Sequence, residues 1–291
     1  QRLRGLVDEL EIPLFRQYIN GDMLYEMETA EIHRHAGPSA HGESWRIAGG
    51  SAALTDQLGS KLPESSIQTG TRVRSIRQDR LEIEAERNGQ RVVYRADQII
   101  LALPPRLLLE NIELIPEIEV ATQRVWRNTP TWMASHSKII YVYDRPFWRE
   151  QGLSGEVFSR RGPLSEIYDG SPADESFYAL TAFVGVNAHQ RQQMSESDLQ
   201  QACMDQLVRL FRTASRDVRQ IMASDWSREP DTATDLDLNT VPHHPQYPAS
   251  ASRQLWDQGL MLAGSELARE QGGYLEGALE SAEEAVALIR P

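Results

Sequence analysis

The sequence predicts a mixed α/β fold, and three observations predict it. A mostly apolar run, Ala96-Asp97-Gln98-Ile99-Ile100-Leu101-Ala102-Leu103, halts at Pro104-Pro105, as expected of a strand covered on both faces. Near the other end, Gly259-Leu260-Met261-Leu262-Ala263-Gly264-Ser265-Glu266 reads as a second buried strand. Glu276 to Ile289, ending near Arg290, reads as a helix with small residues at Gly277, Ala278, Ser281 and Ala282. Between these runs, helical periodicity alternates with β-patterned segments, and Asn20-Gly21 and Asn88-Gly89 are strong hairpin signals.

The 291 residues can bury a large core, in one large domain or two interleaved ones. A net charge of −12 with scattered basic residues argues against nucleic acid or an anionic membrane as main partner, since phosphate selects for clustered Lys and Arg. Cys203 is the single cysteine, which excludes an internal disulfide and a multi-cysteine metal site and fits a reducing compartment. No run approaches the ~20 apolar residues of a membrane span, and the amino terminus lacks a signal-peptide pattern. The expectation is a soluble, cytoplasmic protein.

Taken in order, Leu3, Leu6, Val7 and Leu10 have helical spacing, broken by Pro13. Phe15 to Ile19 and Met23 to Met27 flank Asn20-Gly21 as the arms of a hairpin. A polar loop follows from His33 to Ser44. His33, His35, His243 and His244 have no carboxylate or cysteine at ligand spacing, so they read as solvent-facing loop histidines, with no metal site. Trp45-Arg46-Ile47-Ala48-Gly49-Gly50 leads into a helix capped by Ser51, its apolar face Ala52, Leu54, Leu58 and Leu62. Val73 to Ile76 reads as a strand, and Leu81 to Glu86 and Arg91 to Tyr94 as a hairpin. Glu117 to Trp126 has helical spacing. Ser135 to Tyr143, Phe177 to Val184 and Ile221 to Trp226 read as strands, and Glu196 to Phe211 as a helix burying Leu199, Cys203, Leu207, Leu210 and Phe211. A lysine at strand position 138 is most often a solvated edge residue. No Gly-x-Ser-x-Gly elbow, phosphate-loop lysine motif or zinc signature occurs.

Strand, glycine turn and helix at the carboxy terminus form anion-site geometry, because free N–H groups and the dipole of a first helical turn favour negative charge. The residues themselves are more specific. Gly264-Ser265-Glu266 followed by Gly273-Tyr274-Leu275-Glu276-Gly277-Ala278 resembles the carboxy-terminal signature of flavin-containing amine oxidases. Arg46-Ile47-Ala48-Gly49-Gly50, Ala102-Leu103-Pro104-Pro105, and Lys138 followed by Phe147-Trp148 are similar to further motifs of that family.

The resemblance implies a two-domain architecture. A Rossmann-type FAD domain (1–16, 46–127 and 229–291) would be interleaved with a mixed-sheet substrate domain (17–45 and 128–228). It implies non-covalent FAD, with Val73, Ala102, Pro104, Trp226, Gly264, Ser265, Glu266, Gly273, Tyr274 and Leu275 as cofactor-binding residues. Tyr274 would form one face of the amine slot, and Lys138 would order a water at flavin N5. The implied reaction is hydride transfer from an amine C–N unit to N5, with reoxidation by O2 to H2O2. Partners would be an amine and O2, together with a homodimer mate or a missing amino-terminal segment.

Three departures qualify this. The family's Gly-x-Gly-x-x-Gly unit for the pyrophosphate does not occur in the sequence, so the FAD domain is expected to be incomplete and FAD retention by these residues alone to be weak. Tyr25 to Ser44 is short where the family carries helices roofing the substrate cavity. Counting on from Trp226 sets Asp235 and Leu236 where the family has a flavin-bearing cysteine and an aromatic wall. A dehydrogenase or desaturase that avoids oxygen, and a non-catalytic remnant or binding scaffold, stand as alternatives.

Overall fold

The computed structural model describes residues 2–37, 39, 42–239, 243–247, 254–256 and 259–289; Arg290 lies outside them. The chain opens with helix α1 (Arg2–Glu9) and strands β1 (Leu14–Arg16), β2 (Asp22–Glu26), β3 (Ile32–His35) and β4 (Trp45–Ile47). There follow α2 (Ala52–Ser60), β5 (Thr71–Arg77), β6 (Glu82–Arg87), β7 (Gln90–Arg95), β8 (Ile99–Leu101), α3 (Pro105–Asn111), β9 (Glu113–Ile115) and α4 (Val120–Arg127). The middle third holds β10 (Ser137–Tyr143), α5 (Phe147–Glu150), β11 (Leu153–Ser159), β12 (Leu164–Asp169), β13 (Tyr178–Val184), α6 (Ala188–Gln193), α7 (Glu196–Phe211) and β14 (Gln220–Asp225). β15 (Gln254–Leu255), β16 (Leu260–Leu262) and α8 (Leu275–Ala287) close it. The fold is mixed α/β, as the sequence predicts.

The largest sheet is seven-stranded, ordered β14-β10-β13-β12-β11-β2-β3. Its central strands β10 and β13 largely alternate buried and half-buried residues, so one face packs while the other is more open. Ile139, Val157, Ile167 and Ala182 turn to the packed face and meet Cys203, Leu207, Leu210 and Phe211 of α7. Ser195 caps α7, its hydroxyl accepting the Asp198 N–H at 3.1 Å. A second core joins β5, β8, β16, α3 and α4 through Ile76, Ile99, Leu101, Leu108, Trp126, Leu260 and Leu262. β8 and β16 run parallel in a short sheet ordered β15-β16-β8.

Asn88 and Gly89 both take positive φ, as a two-residue turn requires, and close the β6–β7 hairpin as expected. Asn20-Gly21 does not close one. β1 pairs with β4, while β2 lies between β11 and β3. Gly21 has φ +106°, and a Cβ there would stand 2.7 Å from the Gly152 carbonyl oxygen, so the glycine serves a close approach to β11. The actual hairpin partner of β2 is β3, inside the stretch read as a loop from His33. The helix after Gly50 forms, but the Ser51 side chain makes no cap bond, and Leu58 and Leu62 are exposed. β11 and β12 carry no regular alternation in sequence and were not anticipated. The run 96–103 is not covered on both faces. It yields only three strand residues, at the edge of its sheet, and Ile100 is 39% exposed.

Candidate active site

Two features flank α8, one along its side and one at its start. The first is a groove of about 390 Å³ between the ends of β8 and β16 and the flank of the helix. Ala102, Pro104, Gly264, Ser265 and Glu266 line it, with Ala278 and Ala282 of α8 as part of its wall. Small side chains on α8 keep the groove open. Gly264 has no room for a side chain, since a Cβ would lie 2.8 Å from the Leu103 carbonyl oxygen. Glu266 is buried, and burial, followed by the nearby Asp237 charge, pushes its carboxyl up. Val73 on β5 packs onto the core beneath β8 and β16.

The second feature is the glycine turn. Gly273 has φ +78°, and a Cβ there would meet Trp132 Cβ at 2.8 Å, while a Cβ on Gly277 would lie 2.0 Å from the Gln271 carbonyl oxygen. Both glycines let the turn press against its neighbours. Tyr274 occupies the N-cap position of α8 without any side-chain cap, so the first-turn N–H groups are left for a ligand. Tyr274 and Leu275 are about half exposed.

From Tyr274 a chain of rings leads to Lys138. His244 stacks in parallel on Tyr274, centroids 4.8 Å apart and planes within 6°, and its Nε2 donates to the Gly272 carbonyl at 2.8 Å. Trp132 meets His244 edge-on at 5.0 Å and His136 at 5.8 Å. His136 meets Phe183 at 6.1 Å, and Lys138 Nζ sits 4.7 Å from the Phe183 centroid. Lys138 is no edge residue, for β10 lies between β13 and β14. Burial pulls its ammonium below the ordinary lysine value, and burial likewise lowers His136, whose Nδ1 is buried without a partner.

Trp226 is placed differently from expectation. Its backbone N–H donates to the His136 carbonyl at 3.0 Å, but its side chain lines a cavity with Ser137 and Ile139, on the side facing α6 and α7. Leu236 is exposed and Asp235 lies with it in a single helical turn, so neither walls Tyr274. His244, expected to face solvent, covers one face of that ring instead. No sequence spacing flags His244. His136 could have been found, because it shares the period-two face of Lys138.

Arg191 holds this region in place. It is 2% exposed and donates to Asp225 at 2.9 and 2.7 Å, to the Ser135 carbonyl at 2.6 Å and to the Val186 carbonyl at 2.5 Å. The entry to β10 and the end of β14 are thereby fixed together.

The sequence matches the family model for "Flavin containing amine oxidoreductase" over residues 3–290. The chain belongs to that family. A probable flavin-containing monoamine oxidase A of Dictyostelium discoideum is 29% identical over 81% of the chain and 51% of that protein. An L-amino acid dehydrogenase of Synechocystis sp. is 24% identical over 88% and 53%. The chain thus spans about half the length of these curated relatives. In fold it is similar to a redesigned putrescine oxidase (TM-score 0.79, 17% identity, 98% of this chain and 85% of that one). It is likewise similar to cyclohexylamine oxidase from Brevibacterium oxydans IH-35A (TM-score 0.77, 14% identity, 99% and 84%).

The family's flavin can be tested against these residues. The alanine-lined groove, the close approach at Gly264 and the uncapped helix start suit a flat ring that carries negative charge at one edge. The residues present fit the ring end of FAD. The pyrophosphate end has no matching glycine loop in this sequence.

Proposed function

We propose that this chain carries the amine-oxidising site of an FAD-dependent oxidoreductase that uses O2 as acceptor. One observation carries the reading: the uncapped start of α8 bearing Tyr274 is joined through an unbroken chain of rings to a half-buried Lys138. FAD, when bound, supplies the acceptor for the two electrons and hydrogen leaving the amine carbon. The protein's own part is to position and to polarise. Leu275, Glu276 and Gly277 offer N–H groups, and the α8 dipole favours charge building at the ring edge. Lys138 holds water and a positive charge at the far end of the ring chain. Tyr274, backed by His244, presents one aromatic face to the substrate. On this reading residues 1–16, 46–127 and 229–291 form the flavin-binding part, and 17–45 and 128–228 the substrate part.

The test is to mix the flavin-loaded enzyme with amines in air and follow peroxide and flavin bleaching. Bleaching with peroxide supports the oxidase. The similarity to an L-amino acid dehydrogenase favours a second reading, in which bleaching persists in air without peroxide. No bleaching with any amine or amino acid would remove both.

A further inference from the structure

The ring of Tyr274 has little of its own to hold it. It is about half exposed, and among the described residues its hydroxyl makes no hydrogen bond and one ring only, that of His244, lies against it. A half-exposed side chain with no anchor is free to move between rotamers, so whatever fixes this ring fixes the wall it forms.

His244 grips it at two points. Its imidazole lies parallel to the Tyr274 ring, 4.8 Å away and within 6°. Its Nε2 stands 2.8 Å from the Gly272 carbonyl oxygen, and a carbonyl can only accept, so Nε2 carries the proton. The stack holds the side chain of residue 274, the hydrogen bond holds the backbone two residues earlier, and Gly273 with φ +78° lies between them. The same turn is packed from two further sides. The Tyr247 ring fills the space a Gly272 side chain would need, with Cδ2 2.3 Å from the Cβ position, and Trp132 fills that of Gly273. Both rings also meet His244 edge-on, at 5.9 and 5.0 Å. Pro245 follows directly and restricts the His244 backbone to extended conformations, which leaves the imidazole little freedom of its own.

We propose that His244 is a positioning residue of the amine slot, acting through Tyr274 by covering one face of its ring and setting the angle of the other. The proposal rests on the amine-oxidising reading, which makes Tyr274 a wall of that slot. A histidine suits the place because it joins a flat ring to a hydrogen-bond donor. Phenylalanine would supply the ring alone, and leucine neither.

The experiment uses the flavin-loaded enzyme and cumylamine, which has no hydrogen on its amine carbon and so binds without reacting. Binding is followed by the flavin absorption change, and turnover of oxidisable amines by peroxide. His244→Leu is expected to weaken cumylamine binding about three- to tenfold and to raise KM by a similar factor with less change in kcat, since a wall meets the substrate already in the ground state. His244→Phe should recover the greater part of the loss. In a Tyr274→Leu background, His244→Leu should add nothing, because the ring it positions is gone. Losses that simply add overturn the proposal, as do binding and KM unchanged in His244→Leu. Proton NMR of the unaltered enzyme without amine should show an imidazole C–H resonance shifted upfield by the Tyr274 ring, removed in His244→Leu and returned toward its ordinary position in Tyr274→Leu. Absence of any such resonance overturns the proposal whether or not the variants fold. An unaltered enzyme that neither binds cumylamine nor bleaches with any amine removes the amine-oxidising reading and this proposal with it, whereas turnover with KM unchanged in His244→Leu removes this proposal alone.

Discussion

Lys138 shows what a single side chain's surroundings decide. Its ammonium is half-buried over Phe183 and faces no described carboxylate partner, so folding favours its neutral form and the folded pKa lies below the ordinary 10.5. Between those two values the unfolded chain binds more protons, so stability rises with pH there. Lys138→Met should therefore melt at a higher temperature than the parent at pH 7, and the gap should narrow toward pH 10. A lower melting temperature at both pH values would show the lysine to be stabilising. The same variant should slow flavin reoxidation by O2 at least about tenfold while slowing reduction by amine much less, because a lysine-held water assists only the oxygen step. Stopped-flow measurement of the two half-reactions decides it, and equal slowing removes Lys138 from the oxygen step.

At the level of elements, the start of α8 is set by sterics against propensity. Alanine in a helix is favoured over glycine by roughly 1 kcal/mol, yet at Gly277 a Cβ would stand 2.0 Å from the Gln271 carbonyl oxygen. Gly277→Ala should destabilise the protein by about 1–3 kcal/mol in urea unfolding and displace Tyr274. A stabilised variant would mean the turn has slack. The α6 clamp is the other case. Burial resists ionisation of Asp225, but the Arg191 and Ser227 hydrogen bonds and the Arg191 charge outweigh it and hold the carboxyl below its usual range. The pair's contribution is therefore present above the ordinary carboxylate pKa and lost as pH falls through the depressed folded value. Arg191→Met leaves Asp225 with the Ser227 hydrogen bonds and the more distant Arg228 but without its two-point cation, removes the donor to two carbonyls, and should cost about 3–5 kcal/mol near pH 7, a loss that shrinks below pH 4. Arg191→Lys should recover little, since a lysine lacks the planar fork that reaches Asp225, Ser135 and Val186 together.

For the whole molecule, the cofactor question turns on charge. The pyrophosphate carries the fixed negative charge of FAD, and a glycine loop at a helix start is its usual partner. These 291 residues contain no such loop, so titrating the purified chain with FAD should show no saturable fluorescence change at micromolar concentration. Several missing charge-assisted hydrogen bonds, each worth roughly 1.5–3 kcal/mol, account for the weakness. Saturation in that range would reveal a phosphate site made from other residues. The half-exposed Ile100 and Leu103 beside the alanine groove leave apolar surface where a further strand or ligand could pack.

Features that are local, or carried by contiguous motifs, were legible in the residues alone. Helix α7 follows from the helical spacing of its apolar residues, the Asn88-Gly89 hairpin from a turn that needs positive φ, and the family from motifs whose residues are contiguous. Tertiary structure decided whatever depends on partners distant in the chain. Asn20-Gly21 has the composition of a hairpin, but Gly21 serves the close approach to Gly152, Leu153 and Ser154 at the start of β11. Strand position alone makes Lys138 an edge lysine and only the Phe147-Trp148 motif argues otherwise, whereas in the fold β13 and β14 close on both sides of it. His244 looks like a loop residue, and only folding lays it on Tyr274. Glu166 sits in a strand without clear alternation, and its place in one row with Lys138 is set by cross-strand register, which no single segment encodes because pairing is a property of two strands at once.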